Sequence, residues 1–122
     1  MTKNMMPDPT VFTKLEIADT FKGRLVGLLN RESLSPQSAL LLTNCCSVHT
    51  FGMRFSIDIA FLDKDGYVLS LIDSLGRFRS ASCRQASHTL ESRAGRMREL
   101  NIGIGNQLVW DSKKGLAQLI RK

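Results

Sequence analysis

Residues 49–69 read HTFGMRFSIDIAFLDKDGYVL, from His49 to Leu69, and the fold turns on how this stretch is read. Ile57, Ile59 and Phe61 alternate with Asp58, Ala60 and Leu62, a spacing of two that puts the first three on one face of a strand. The opposite face carries Ala60 and Leu62 besides Asp58, so it too is at least partly buried. Asp63-Lys64-Asp65-Gly66 follows; Asp and Gly tolerate the left-handed backbone of a tight connection, which predicts a hairpin turn. Tyr67 to Ile72 (YVLSLI) is β-branched and aromatic and returns as the second strand.

Asp58 breaks the pattern. A carboxylate between two isoleucines costs desolvation unless something pairs with it, and His49 and Arg54 are the nearest upstream candidates. In the structural reading, Asp58 accepts backbone N–H bonds from the 49–54 turn and pins it. The functional reading makes it an acid or base poised by burial.

Upstream, Asn44 to Arg54 (NCCSVHTFGMR) reads as an irregular loop. Gly52 supplies a special backbone geometry there, and Phe51 and Phe55 are expected to anchor the loop to the core. Before it, Ala39 to Thr43 (ALLLT) is too short for a helix and reads as a buried strand, entered from the turn Leu34-Ser35-Pro36-Gln37. Phe21, Leu25, Leu28 and Leu29 recur at helical spacing behind a cap at Asp19 or Thr20, predicting a helix over 20–30. Thr10 to Ile17 alternates as a first strand. Residues 1–9 are polar with Pro7 and Pro9 and read as a flexible arm, leaving 10–122 as a single compact domain.

Downstream, Asp73 to Gln85 is a polar loop, long enough to be functional or mobile. Ala86 to Ser92 alternates weakly, with His88 and Leu90 on one side and Thr89 and Glu91 on the other. Arg96 to Leu100 makes one helical turn. Gly103-Ile104-Gly105-Asn106 lacks the third glycine and following helix of a dinucleotide fingerprint and reads as a turn. Gln107 to Asp111 is a last strand, and the tail SKKGLAQLIRK is a frayed helix or a final edge strand. The loops are too short for crossover helices except in the first connection. The fold class is therefore mainly β (α+β): an antiparallel sandwich or partly closed barrel with one packed helix and short helical turns.

The 122 residues suffice for one core, and no run approaches a membrane span. The N-terminus MTKNMMPDPTVF has no apolar run before a cleavage site, so no signal peptide is expected. Cys45, Cys46 and Cys83 cannot all pair, and free thiols in a reducing cytoplasm are the simpler account. Their spacing to His49 and His88 fits no zinc motif, and no metal or cofactor is expected.

The net charge is +6, and six arginines (Arg77, Arg79, Arg84, Arg93, Arg96 and Arg98) fall in one segment. No nucleic-acid motif accompanies them, so a solvated basic face is favoured over a nucleic-acid surface.

Together these motifs resemble a known group, the small bacterial and archaeal proteins of domain-of-unknown-function family one-nine-two. The likeness runs from about Thr13 to Trp110. It rests on Gly27-Leu28-Leu29-x-Arg31-x-x-Leu34, Val48-His49-Thr50-Phe51-Gly52-Met53-Arg54-Phe55, and Ile57 through Asp63. Gly66, Leu90-Glu91, Ala94-Gly95 and Gly105-x-x-Leu108 complete it. The chain looks like the branch with His-Thr-Phe-Gly-Met. It departs at Ser56, where proline is common, at Ser92-Arg93, and at Asn106, where an acid is common. The resemblance implies a compact, mainly β fold and no established activity, cofactor or catalytic residue.

Three functions follow from the residues. The first is a binding module presenting the 44–56 and 74–85 loops to a small anionic ligand or a protein, with His49, Met53, Arg54, Asp58 and Arg77 as binding candidates. The second is an enzyme in which His49 carries a proton beside Asp58 or Glu91; it lacks a convincing nucleophile. The third is nucleic-acid binding through Arg77–Arg98. The enzyme reading requires His49, Asp58 and Glu91 to converge on one concave site.

Overall fold

Strand β5, Ile57–Leu62, is buried at all six positions, and the rest of the chain covers its two faces. The structure, a computed structural model, describes residues 9–20, 28 and 31–121. The expected arm at 1–9 and the helix expected over 20–30 lie outside the described residues, apart from Pro9, Thr20 and Leu28.

The described elements are almost all strands. In chain order they are β1 Thr10–Phe12, β2 Lys14–Ala18, β3 Ser38–Thr43, β4 Ser47–His49, β5, β6 Val68–Leu75, β7 Ser80–Ser82, β8 His88–Arg93, β9 Gln107–Asp111 and β10 Leu116–Ile120, with one short helix, α1, Arg96–Glu99. They form a five-stranded sheet in the order β2-β3-β8-β5-β6, a three-stranded sheet β1-β10-β9 and a two-stranded ribbon β4-β7. Every pairing is antiparallel except β2 with β3. That parallel pair spans the first connection, the one long enough for a crossover. The architecture is mainly β, and the described strands close no barrel.

Alternation on β3 and β5 sorts apolar side chains between two cores. Ala39, Leu41, Ala60 and Leu62 join Leu15 and Leu90 against Phe12, Leu108, Ala117 and Leu119 of the smaller sheet. This is the filling of a sandwich. Leu40, Leu42, Ile57, Ile59 and Phe61 face the other way, onto Leu28, Leu34, Val48 and Met53. The large sheet is thus covered on both sides, which is why β5 has no polar face.

Several boundaries differ from the sequence expectation. The first strand is two: at Thr13 the chain leaves the small sheet for the large one, and the N–H groups of Thr13 and Lys14 both donate to Gln37 O, each at 3.1 Å. Val11 and Phe12 are both buried and Thr13 and Lys14 both exposed, so the alternation breaks at the corner, where the chain changes sheets. The polar 73–85 loop is partly strand, with β6 running on to Leu75 and Ser80–Ser82 forming β7 against β4. The irregular 44–54 loop likewise contains β4. Short serine-rich strands lack the apolar alternation by which strands are recognised. The tail forms β10, the central strand of its sheet and not an edge.

The hairpin turn forms as read. Asp63 Oδ1 accepts from the N–H groups of Asp65 and Tyr67, each at 2.9 Å. Gly66 has φ +89°, and a Cβ there would sit 2.2 Å from Leu108 O. Its own carbonyl accepts from Leu108 N–H at 2.8 Å, so the turn is where the two sheets are laced together.

Candidate functional site

Thr50 organises the tip of the ribbon. It is fully buried. Its hydroxyl donates to Gly76 O at 2.6 Å and accepts from Arg79 N–H at 2.9 Å, while its own N–H donates to Arg79 O at 2.8 Å. Gly52, at φ +83°, turns the chain just beyond, and Met53 N–H closes the turn on Thr50 O at 3.1 Å. Arg77 Nε donates to Met53 O at 2.8 Å. Two turns, 50–53 and 76–79, are therefore clasped together at the end of the ladder.

Phe51 was expected to anchor this loop inside and instead lies outside, 52% exposed, with its ring centroid 5.3 Å from that of His49. Phe55 is half-buried and does pack on the second core. Phe78 is 65% exposed, and the Arg77 guanidinium carbon lies 5.3 Å from its ring centroid. The tip thus presents His49, Phe51, Arg77, Phe78 and Arg79 to solvent. Tethering through Nε leaves both terminal nitrogens of Arg77 for a bidentate partner. Met53, by contrast, is buried in the second core, and Arg54 reaches Glu32 at 3.5 Å.

Asp58 is 1% exposed, and its partners are not those expected from the 49–54 turn. Its Oδ1 accepts from Ser74 N–H at 2.9 Å and its Oδ2 from Met97 N–H at 3.0 Å. Ser74 has φ +55° beside a register shift between β5 and β6, and its N–H is turned onto the carboxylate. Helix α1 has no side-chain cap of its own, since Gly95 occupies that position. Asp58 supplies the missing acceptor from a neighbouring strand. Its carboxylate also borders a cavity of about 220 Å³ with Leu71, Ile72, Asp73, Met97, Arg98 and Ile102.

Glu91 is the chemically odd group. It lies opposite Leu40 on β3 and Ile59 on β5, both members of the second core, and is 4% exposed. No described residue bonds its carboxyl, and burial pushes it up to about 7. Asp58 lies opposite Ser92, one residue along β8, and so faces the other side of the sheet. His49 ends β4 on the exposed side of the ribbon. The sheet thus separates Asp58 from Glu91, and no hydrogen bond joins either to His49.

The arginines divide among roles. Arg98 pairs with Asp73. Arg96 donates to Pro36 O at 2.9 Å and reaches Glu99 at 3.3 Å. Arg93 borders an open cleft with Ser33, Leu34, Ser35, Pro36, Phe55, Ser56 and Ala94. Among the described residues, no three His, Cys, Asp or Glu side chains gather in a metal-holding group, and no helix is long and apolar enough to cross a membrane.

Sequence reasoning singled out His49, Arg54 and Arg77 and passed over Thr50 and Phe78. Thr50 has no local signal, because its partners lie 26 and 29 residues away. An isolated phenylalanine between arginines in a polar run was the available clue to Phe78.

Two solved structures share the fold. One is a protein of unknown function from Novosphingobium aromaticivorans DSM 12444, with TM-score 0.72 and 18% identity over 79% of this chain and 74% of that one. The other, from Sinorhizobium meliloti 1021, is described as a "putative transcription regulator"; its TM-score is 0.70 at 18% identity, over 86% of this chain and 78% of that one. At such identity the likeness is one of fold alone. No curated protein matches the chain. The family model of DUF192, described as uncharacterised, matches residues 3–110, and the chain belongs to that family.

Proposed function

We propose that the protein is a cytoplasmic binding module, residues 10–122 forming one domain behind a short arm, which presents the 44–56 and 74–85 segments to an acidic stretch of a protein partner. One observation carries this reading: exposed Phe51 and Phe78 stand with Arg77 and Arg79 on turns braced from beneath by buried Thr50. Exposed aromatics beside arginine are the residue types that dominate protein interfaces. Bracing lowers the entropy lost on binding. Arginine forks suit carboxylates, and the net charge of +6 favours an anionic partner. His49, its ring tilted against that of Phe51, adds a ring and a hydrogen-bonding edge to the same surface.

The test is a titration of the isotope-labelled protein, followed by amide shifts, with three probes: a peptide alternating Asp and Phe, inorganic phosphate, and a double-stranded oligonucleotide. The peptide is expected to move the amides of 49–53 and 76–80, and Arg77→Ala with Phe78→Ala to weaken it at least tenfold. Phosphate moving the same amides as strongly assigns the surface to small anions. Oligonucleotide binding in the sub-micromolar range at physiological salt overturns the proposal in favour of the nucleic-acid reading.

A further inference from the structure

The other end of the same ribbon carries a second feature. In the β4–β7 ladder Ser47 lies opposite Ser82, Val48 opposite Ala81 and His49 opposite Ser80. One step further the register places Cys46 opposite Cys83, and Cys83 N–H donates to Cys46 O at 2.9 Å. Residues directly opposite in an antiparallel pair have Cα atoms about 4.5–5.5 Å apart, within the range that disulfides span. Their side chains leave the same face of the ribbon. By alternation that is the face of Val48 and Ala81, which rests on the second core and meets solvent at this end. Cys83 packs against that core, whereas Cys46 is exposed. All three cysteines are free thiols in this structure.

We propose that Cys46 and Cys83 form a reversible thiol–disulfide site, closed by a low-molecular-weight disulfide, RSSR, and opened by excess thiol. The exposed Cys46 thiolate attacks one sulfur of RSSR, forming Cys46–S–S–R and releasing RS⁻, which takes up the proton Cys46 gave up. The Cys83 thiolate then attacks the Cys46 sulfur, expels the second RS⁻ and forms the protein disulfide. Two thiols are oxidised, one RSSR is reduced to two RSH, and no other oxidant enters. Cys45 is the competitor in sequence, but its Sγ donates to Ser47 O at 3.1 Å, and its backbone N–H is tied to Ser87 O at 3.0 Å, outside the ladder. The closed form fastens the ribbon at the end opposite Thr50, so the strands that carry the tip are held at both ends. The proposal is independent of what the tip binds.

The full chain, fully reduced, is incubated with oxidised glutathione, quenched with a thiol-blocking reagent and examined by intact mass and non-reducing peptide mapping. The expected product has lost two hydrogens, carries one blocked thiol at Cys45, and yields a linked pair of peptides containing Cys46 and Cys83. Excess reduced thiol restores the starting mass. In Cys83→Ser the reaction stops at a stable glutathione adduct on Cys46, and in Cys45→Ser the crosslink forms as in the parent. A lasting adduct on Cys46 with Cys83 free in the parent overturns the proposal. So does a link through Cys45, or a crosslink formed only after denaturation.

Discussion

Glu91 couples stability to pH. Its carboxyl is raised from the ordinary 4.5 to about 7 because burial disfavours the charged form. The folded state therefore holds a proton that the unfolded chain releases between those values. The associated stability is fully present below about pH 4.5 and is lost as pH rises through 7, amounting to about 3 kcal/mol in order of magnitude. His88 works in the opposite sense. Burial lowers its pKa, and its Nδ1 accepts from Asn44 N–H at 3.1 Å, so its contribution is present above the ordinary histidine value of 6.5 and is lost as pH falls from there through the lowered folded value. Glu91→Gln separates the two: it should melt higher than the parent at pH 8 and match it near pH 4.5. Equal melting points at pH 8 would show that the carboxylate is solvated when charged. Asp58 offers the contrasting case of a buried carboxylate whose oxygens are both bonded. Asp58→Ala orphans two N–H groups and should cost about 3–5 kcal/mol, whereas His49→Ala, at an exposed site, should melt within a few degrees of the parent. A collapse of His49→Ala as deep as that of Asp58→Ala would make the histidine part of the brace. That Asp58 needs a partner was legible from its apolar neighbours. Which partners it takes was not, since Ser74 and Met97 lie 16 and 39 residues away and donate through backbone that carries no side-chain signature.

Among the elements, the β5–β6 hairpin was the most legible, because its turn is encoded locally by Asp63 and Gly66 and its strands are apolar. The ribbon was illegible for the converse reason. Ser47, Ser80 and Ser82 face solvent, and the apolar members of its inner face are Val48 and Ala81 alone, so no alternation emerges. What fixes the ribbon is Thr50, through bonds to a turn that is distant in sequence. Thr50→Val keeps the shape but removes the hydroxyl, leaving Gly76 O without its donor and Arg79 N–H without its acceptor. The expected cost is about 1–3 kcal/mol, and Thr50→Ser should restore most of it. The mutation should also speed amide exchange in the 76–80 turn; unchanged exchange there would mean the turn is held by other contacts. Gly66→Ala tests the lacing of the sheets. The left-handed backbone adds about 1–2 kcal/mol for any side chain, and the collision with Leu108 O adds to that, because the obstructing atom is backbone in the facing sheet. A melting point like that of the parent would show that β9 can draw away from the turn without loss.

At the scale of the whole molecule, the continuous burial of β3 and β5 made a β domain with covered sheets predictable. The partition into two cores was not, because alternation says which residues share a face but not what lies over it. That partition sets an order of stability. Strands β3, β8 and β5 are interior to the five-stranded sheet and have both faces covered, so their amides open only when the sheet itself comes apart. The ribbon is two short strands with one face in water, an arrangement of marginal stability without support from beneath. Its openings should be local and more frequent than those of the large sheet. Native-state hydrogen exchange should therefore find Leu90 and Ile59 among the slowest amides and Val48 and Ala81 faster by at least about tenfold, the factor that corresponds to about 1.4 kcal/mol in opening free energy. Crosslinking Cys46 to Cys83 should narrow that gap from the ribbon side and leave Leu90 nearly unchanged. If instead the ribbon exchanges as slowly as β8 with all thiols reduced, it belongs to the same cooperative unit as the large sheet. The tip is then held rigid by the whole fold, and a disulfide has nothing left to fasten.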